Sequence, residues 1–310
     1  MRVVFWGTPA FAVPALRALA EEGHEIVGVV TQPDRPAGRG RRLRPPPVKA
    51  VAQVEGWPVL QPERARDPMV RAQLEAWAPD ISVVVAYGQI LPASLLEVPR
   101  LGSVAVHPSL LPAWRGAAPI PWTILAGDAV TGVTIFRLDA GMDTGPILLQ
   151  VETPVLPEET AAELAARLAE LGAEALVEAL ALLESGQATL RPQDDAGASY
   201  APKIERAQAR VDWRRPAEEV ARALRAFDDT PGAWSELGGA PIALFRPRVT
   251  TELPAAPPGT VLVADPRRGL AVAAGQGAVW VGEVQPPGKR RMTAAEWVRG
   301  RGVRVGERFV

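Results

Sequence analysis

Cysteine is absent from the 310 residues, which excludes a disulfide framework, cysteine-ligated zinc or iron–sulfur sites and a thiol nucleophile. Asparagine is absent too, and only three of the 34 basic side chains are lysine: Lys49, Lys203 and Lys289. GC-rich coding, heat adaptation or deliberate redesign would each thin out both residues, asparagine being thermolabile. No apolar run approaches the ~18 residues of a membrane span. Arg2 is followed by only four apolar residues before Gly7, which is too few for a secretory signal. Cytoplasm is therefore the expected compartment. Histidine occurs only at His24 and His107. The carboxylate pairs Asp194-Asp195 and Asp228-Asp229 sit in turn-like contexts without ligand spacing, so no metal is expected.

What is present suffices for two domains of roughly 150 residues. Residues 1–206 carry 18 basic and 24 acidic side chains, whereas residues 207–310 carry 16 and 11. A basic C-terminal third points to a polyanionic partner. In the first part, Arg2–Trp6, Glu25–Thr31, Ile81–Ala86, Ser103–His107 and Gly132–Leu138 read as short strands. Phe11–Glu22 and Met69–Trp77 have helical spacing. This alternation predicts an α/β unit with a parallel sheet and helices on both faces. Thr160–Ser185 is the strongest helical pattern, with Thr160 and Glu163 as a capping box, Gly186 as a stop and Gly172 as a candidate break. Periodicity then disappears, predicting a linker over 189–209 between domains at 1–188 and 210–310. Beyond it, a helix near Ala217–Phe227, strands at Pro241–Phe245, Gly259–Val263, Leu270–Ala273 and Val279–Val284, and a helix from Thr293 fit a small β-barrel.

Three segments are candidates for chemistry. Gly7-Thr8-Pro9 ends the first strand before a helix, but the second and third glycines of a dinucleotide fingerprint are missing; a ligand-facing turn and an ordinary one both fit. Residues 32–49 form a Pro/Gly-rich loop carrying Arg35, Arg39, Arg41, Arg42, Arg44 and Lys49, a density that suits phosphate contacts and nucleic acid. His107 ends a strand before a Pro-Ser loop, where the carboxyl end of a parallel strand opens onto a ligand crevice. A carboxylate such as Asp143 on a neighbouring loop would orient that imidazole for acid–base work. The nine tryptophans are dispersed and read as core residues, Trp114 at the border of this site excepted.

The stretch from Val106-His107 through Leu110-Leu111-Pro112 and Arg115-Gly116 to Pro119, with Leu138-Asp139-Ala-Gly-Met-Asp143-Thr-Gly145, closely resembles the formyltransferases that use 10-formyltetrahydrofolate. Gly7-Thr8-Pro9, the 32–40 loop, Ala86-Tyr87-Gly88, Tyr200-Ala201, Lys203-Ile204, Val211-Asp212-Trp213, Pro258-Gly259-Thr260 and Gln285 to Lys289 extend the likeness over nearly the whole chain. They match members whose acceptor is initiator methionyl-tRNA. The resemblance implies a Rossmann-like catalytic domain, a linker and an OB-like barrel, active in translation initiation as a monomer. It implies His107 and Asp143 as catalytic residues, with the folate against Ile90, Leu91, Pro92, Ser109, Leu110, Leu111, Pro112, Asp139 and Asp143. Arg35, Arg39, Arg41, Arg42, Lys203 and Arg206 would hold the tRNA. One departure falls in the site: the family carries asparagine two residues before the catalytic histidine, and this chain has Ala105. Two other readings remain open, a tRNA-binding homologue with impaired turnover and a formyltransferase for a small amine.

Overall fold

In β1 (Arg2–Gly7) and β2 (Glu25–Val30) consecutive residues are buried, five of six in each strand. Successive side chains of a strand point to opposite faces, so both faces of this sheet are covered. The computed structural model describes residues 1–37 and 42–310. These form two compact units, one of Met1–Pro119, Val130–Pro154 and Ala165–Ala201, the other of Ile120–Ala129, Val155–Leu164 and Pro202–Val310. Arg39 and Arg41 lie outside the described residues.

Following β1 and β2, the first part of the chain contains α1 (Val13–Glu21), β3 (Arg35–Ala37), β4 (Arg42–Arg44), α2 (Pro47–Glu55), β5 (Val59–Leu60), α3 (Pro68–Trp77), β6 (Ile81–Val85), α4 (Ala93–Leu96), β7 (Ser103–His107), α5 (Pro119–Ala126), β8 (Val130–Arg137), β9 (Ile147–Pro154) and α6 (Ala161–Glu184). The main sheet has the order β5-β2-β1-β6-β7-β8-β9. Its first five strands are parallel, as the sequence predicts. β8 and β9 are antiparallel, making the sheet mixed. Apolar runs report burial and not direction, so the reversal has no sequence signal.

The capping box ahead of α6 is formed: the Thr160 N–H donates to Glu163 Oε2 at 2.9 Å, and the Glu163 N–H to Thr160 Oγ1 at 3.3 Å. Together with Arg246, it holds the Glu163 carboxyl down at about 2. Gly172 does not break this helix. A Cβ there would lie 2.9 Å from Val106 Cγ1, so the glycine lets α6 pack closely over β7. In the basic loop, on either side of residues 38–41, β3 and β4 pair as an antiparallel ribbon with Arg35 opposite Arg44. Lys49 is neutralised by Asp34, 2.8 Å away.

The second unit contains α7 (Ala217–Ala226), β10 (Trp234–Leu237), β11 (Ala240–Thr250), β12 (Val261–Asp265), β13 (Gly269–Ala273), β14 (Ala278–Gln285), β15 (Met292–Thr293) and α8 (Ala294–Arg299). Its antiparallel sheet runs β10-β11-β14-β13-β12, with β15 on β14. The inward side chains include Trp213, Leu224, Phe227, Leu244, Val261, Leu270, Val279 and Phe309. The outer strands are joined through the C-terminal tail. The Val261 N–H donates to Glu307 O at 2.8 Å and the Phe309 N–H to Gly259 O at 2.9 Å, while Glu236 and Val310 exchange hydrogen bonds of 3.0 and 2.9 Å. Both edges of the curled sheet are thereby covered.

Candidate active site

β7 is buried at all five positions and ends in His107. Beyond it the chain is turned by hydrogen bonds from Ser109 Oγ to Ala113 O (2.6 Å), Thr134 Oγ1 to Ser109 O (2.6 Å) and the Leu111 N–H to Thr134 Oγ1 (3.0 Å). This turn aims the Trp114 carbonyl at His107 Nε2, 2.9 Å away, with Trp114 in the left-handed region at φ +60°. A carbonyl oxygen only accepts, so Nε2 carries a proton, and in the neutral ring Nδ1 keeps its lone pair. That lone pair faces Asp143 Oδ2 across 3.7 Å, beyond direct hydrogen-bond length. Phe136 stands edge-on to the imidazole, ring centroids 6.4 Å apart. Burial pushes the His107 pKa below its ordinary value, opposed by the Asp143 charge and the Trp114 carbonyl. The neutral, proton-accepting form is thus the resting one at pH 7.

Asp143 lies between β8 and β9 with φ +55°. Its Oδ2 accepts the Gly116 N–H at 2.8 Å, which pins the carboxylate to the loop after β7. Gly145 lets this loop lie on β8: a Cβ there would fall 1.8 Å from Arg137 O, beside the Arg137 N–H to Pro146 O bond of 2.9 Å. Gly145→Ala is therefore expected to cost about 1–3 kcal/mol through displaced backbone. A melting curve and an activity assay check this; an unchanged melting point would show that the loop relaxes freely.

The segment that reads as a linker holds both site loops. Gln193 Nε2 donates to Asp143 O at 2.9 Å and Gly145 O at 2.7 Å, while its Oε1 accepts from Arg115 Nε and Nη2 at 3.0 and 2.7 Å. Arg115, only 2% exposed, also pairs with Asp195 at 2.8 Å. Ser199 Oγ accepts the Trp114 N–H at 2.9 Å, and Ser199 O accepts the Arg115 N–H at 2.9 Å. None of these roles has a sequence signature, for an isolated glutamine in an aperiodic stretch has neither periodicity nor spacing.

Ala105 precedes His107 by two residues on β7, hence on the same strand face, and packs with Leu111, Phe136 and Ile147. β6 and β7 run parallel side by side, so Ile90, Leu91 and Pro92 leave the same sheet edge as Ser109, Leu110, Leu111 and Pro112. Leu91, Ser109 and Leu111 are buried, whereas Ile90 is 82% exposed. Asp139 Oδ1 accepts from the Gly141 N–H and from Thr144 Oγ1 at 2.9 and 2.8 Å, so it shapes its own loop. Arg35 and Arg42 are exposed on the β3–β4 ribbon, and Lys203 and Arg206 are exposed in the second unit. Among the described residues, no helix is long and apolar enough to cross a membrane.

A family model described as "Formyl transferase" matches residues 1–180, and one described as "Formyl transferase, C-terminal domain" matches residues 203–302. The methionyl-tRNA formyltransferase of Symbiobacterium thermophilum is 50% identical over 310 residues, covering all of this chain and 95% of that protein. That of Thiobacillus denitrificans is 50% identical over 312 residues, covering 100% and 99%. Among solved structures, HypX from Aquifex aeolicus in complex with tetrahydrofolic acid matches with a TM-score of 0.68 and 22% identity, covering 96% of this chain and 46% of that one. The N-formyltransferase from Helicobacter canadensis in complex with folinic acid and dTDP-3-aminofucose matches at 0.67 and 16%, covering 92% and 99%. At these identities the likeness to solved structures is one of fold.

Proposed function

This chain belongs to the formyl transferase family, and we infer from that membership that it transfers a formyl group to the α-amine of methionyl-tRNA. The donor in this reading is 10-formyltetrahydrofolate and the acceptor is the initiator tRNA. A single chain does this work in the cytoplasm, in preparation for translation initiation. The observation that carries the chemistry is the disposition of His107, with Nε2–H committed to Trp114 O and the Nδ1 lone pair facing Asp143.

The amine nitrogen attacks the formyl carbon, forming the new C–N bond and leaving the carbonyl electrons on oxygen. The attacking nitrogen releases a proton to His107 Nδ1, and the Asp143 carboxylate stabilises the imidazolium that results. When the tetrahedral species collapses, the bond from carbon to N10 of the folate breaks and His107 returns the proton to that nitrogen. The products are formylmethionyl-tRNA and tetrahydrofolate, and the enzyme is regenerated. Three elements support assigning the folate to the edge at Ile90, Leu91 and Pro92, Ser109 to Pro112, and Asp139 to Asp143: a shared sheet edge, buried Leu91 and Leu111, and the adjoining His107. Arg35 opposite Arg44 on a two-stranded ribbon would be destabilising without anions nearby, which supports a phosphate-bearing partner there. Lys203 and Arg206 extend the basic surface of the second unit.

A single-turnover assay with 10-formyltetrahydrofolate and methionyl initiator tRNA tests this reading. Formyl is expected on the methionyl amine, and none on glycinamide ribonucleotide or an amino sugar. No transfer to the charged tRNA would overturn it. Reversing Arg35 and Arg42 to glutamate is expected to weaken tRNA binding and to flatten its dependence on salt, since each phosphate contact contributes about 0.7–0.9 to that logarithmic slope. Filter binding between low and moderate salt measures it; an unchanged slope would remove the ribbon from the tRNA surface.

A further inference from the structure

Asp143 sits in a left-handed backbone conformation, φ +55°, and neighbouring groups hold both its carboxylate and its main chain. Two are visible: the Gly116 N–H on the carboxylate, and Gln193 Nε2 on the main-chain oxygens of Asp143 and Gly145. The orientation of the Gln193 amide is not arbitrary. Its Oε1 accepts two N–H groups from the buried Arg115 guanidinium, which only donates, and the NH2 group therefore faces the two carbonyls. Arg115 in turn belongs to the loop whose Gly116 N–H holds the Asp143 carboxylate. Gln193 thus links both ends of Asp143, tying its main chain through one amide atom and the loop that carries its carboxylate partner through the other.

We propose that Gln193 is a positioning residue for formyl transfer: it fixes the Asp143 loop so that the carboxylate stands opposite His107 Nδ1. Gln193 touches neither His107 nor the Asp143 carboxylate, and acts on the proton acceptor through Asp143. The proposal rests on the formyl-transfer reading, and refers to the step in which His107 becomes charged. Misplacing Asp143 by an ångström weakens the stabilisation of the imidazolium, and such displacements reduce rates by up to about a hundredfold.

Two variants separate the donor from the acceptor side of the amide. Gln193→Met keeps the length and shape and removes both polar atoms. Gln193→Glu keeps an acceptor for Arg115 but sets an oxygen against Asp143 O and Gly145 O. Both are expected to lower the single-turnover rate about tenfold to a hundredfold, with the KM for methionyl-tRNA within about twofold of the parent. Gln193→Met, which adds no charge, should also move the acid limb of the rate profile to lower pH, because the Asp143 charge, with the Trp114 carbonyl, raises the His107 pKa against burial. In an Asp143→Ala background, Gln193→Met should have no further effect on the rate. Circular dichroism and retained tRNA binding establish that each variant folds. A rate loss that multiplies with Asp143→Ala, or a Gln193→Met rate loss with an unmoved acid limb, would overturn the proposal, as would unaltered kinetics in a fully active parent. A parent without formyl transfer would overturn the underlying reading instead.

Discussion

His107→Ala is expected to lower formyl transfer by about 10²–10⁴-fold while tRNA binding persists. The imidazole holds an Nδ1 lone pair poised for a proton, because the Trp114 carbonyl commits the Nε2 proton and so fixes the tautomer. Loss of Nδ1 leaves the attacking amine to shed its proton to water. His107 is only 6% exposed and ends a buried strand, so Ala leaves a cavity and lowers the melting temperature. His107→Gln, with a side chain of similar size and no titration in this range, separates the two effects. Both variants should lose the acid limb that the parent shows. That limb lies below the ordinary histidine value of 6.5, because burial depresses the pKa in the folded chain; the active neutral form is present above the limb and is lost as pH falls through it. Asp143→Asn removes the charge that raises this pKa and should shift the limb further down, with a lower plateau because the imidazolium is less stabilised. An unaltered limb in His107→Gln would assign it to another group and remove His107 from the proton path.

The parts of this site differ in how much they announce themselves. The approach of His107 and Asp143 is legible because the segments around them are dense in residues with specific structural demands: a strand end, a tight turn, and glycines where backbone comes close to backbone. β1, β2, β6 and β7 are legible because burial on both faces leaves unbroken apolar runs. Strand direction is not, since β8 has the same kind of composition and runs the other way. Gln193 is hidden in Pro-, Asp- and Gly-rich sequence that looks like a tether; its partners are two main-chain oxygens and an arginine, and such partners impose no pattern on the sequence. Closure of the barrel sheet by residues 306–310 is hidden for the same reason, because backbone hydrogen bonds join it to Gly259, Val261 and Glu236. Gly172 misleads in the opposite direction: it weakens a helix on local propensity, yet it is placed there by the tight contact with Val106.

Ala105→Asn is expected to raise the single-turnover rate by up to ~10²–10³-fold, the effect of one well-aimed donor to a developing oxyanion. The basis is geometric. Positions 105 and 107 share a face of β7, and position 105 is flanked by Phe136 on β8 and Val84 on β6, so an amide there would emerge beside the imidazole. The same substitution places polar atoms among Leu111, Phe136 and Ile147 and should cost about 1–3 kcal/mol of stability where they lack partners. A faster and less stable enzyme is therefore the expected combination. The variant is most informative in a His107→Ala background. A donor that stabilises the oxyanion by itself retains its gain when the base is gone. If the gain vanishes there, the amide and the imidazole act as one unit, in the way that residues of a shared site lose additivity. No gain in either background would mean that position 105 supplies no donor to the reacting oxygen, and that the alanine enzyme is already complete.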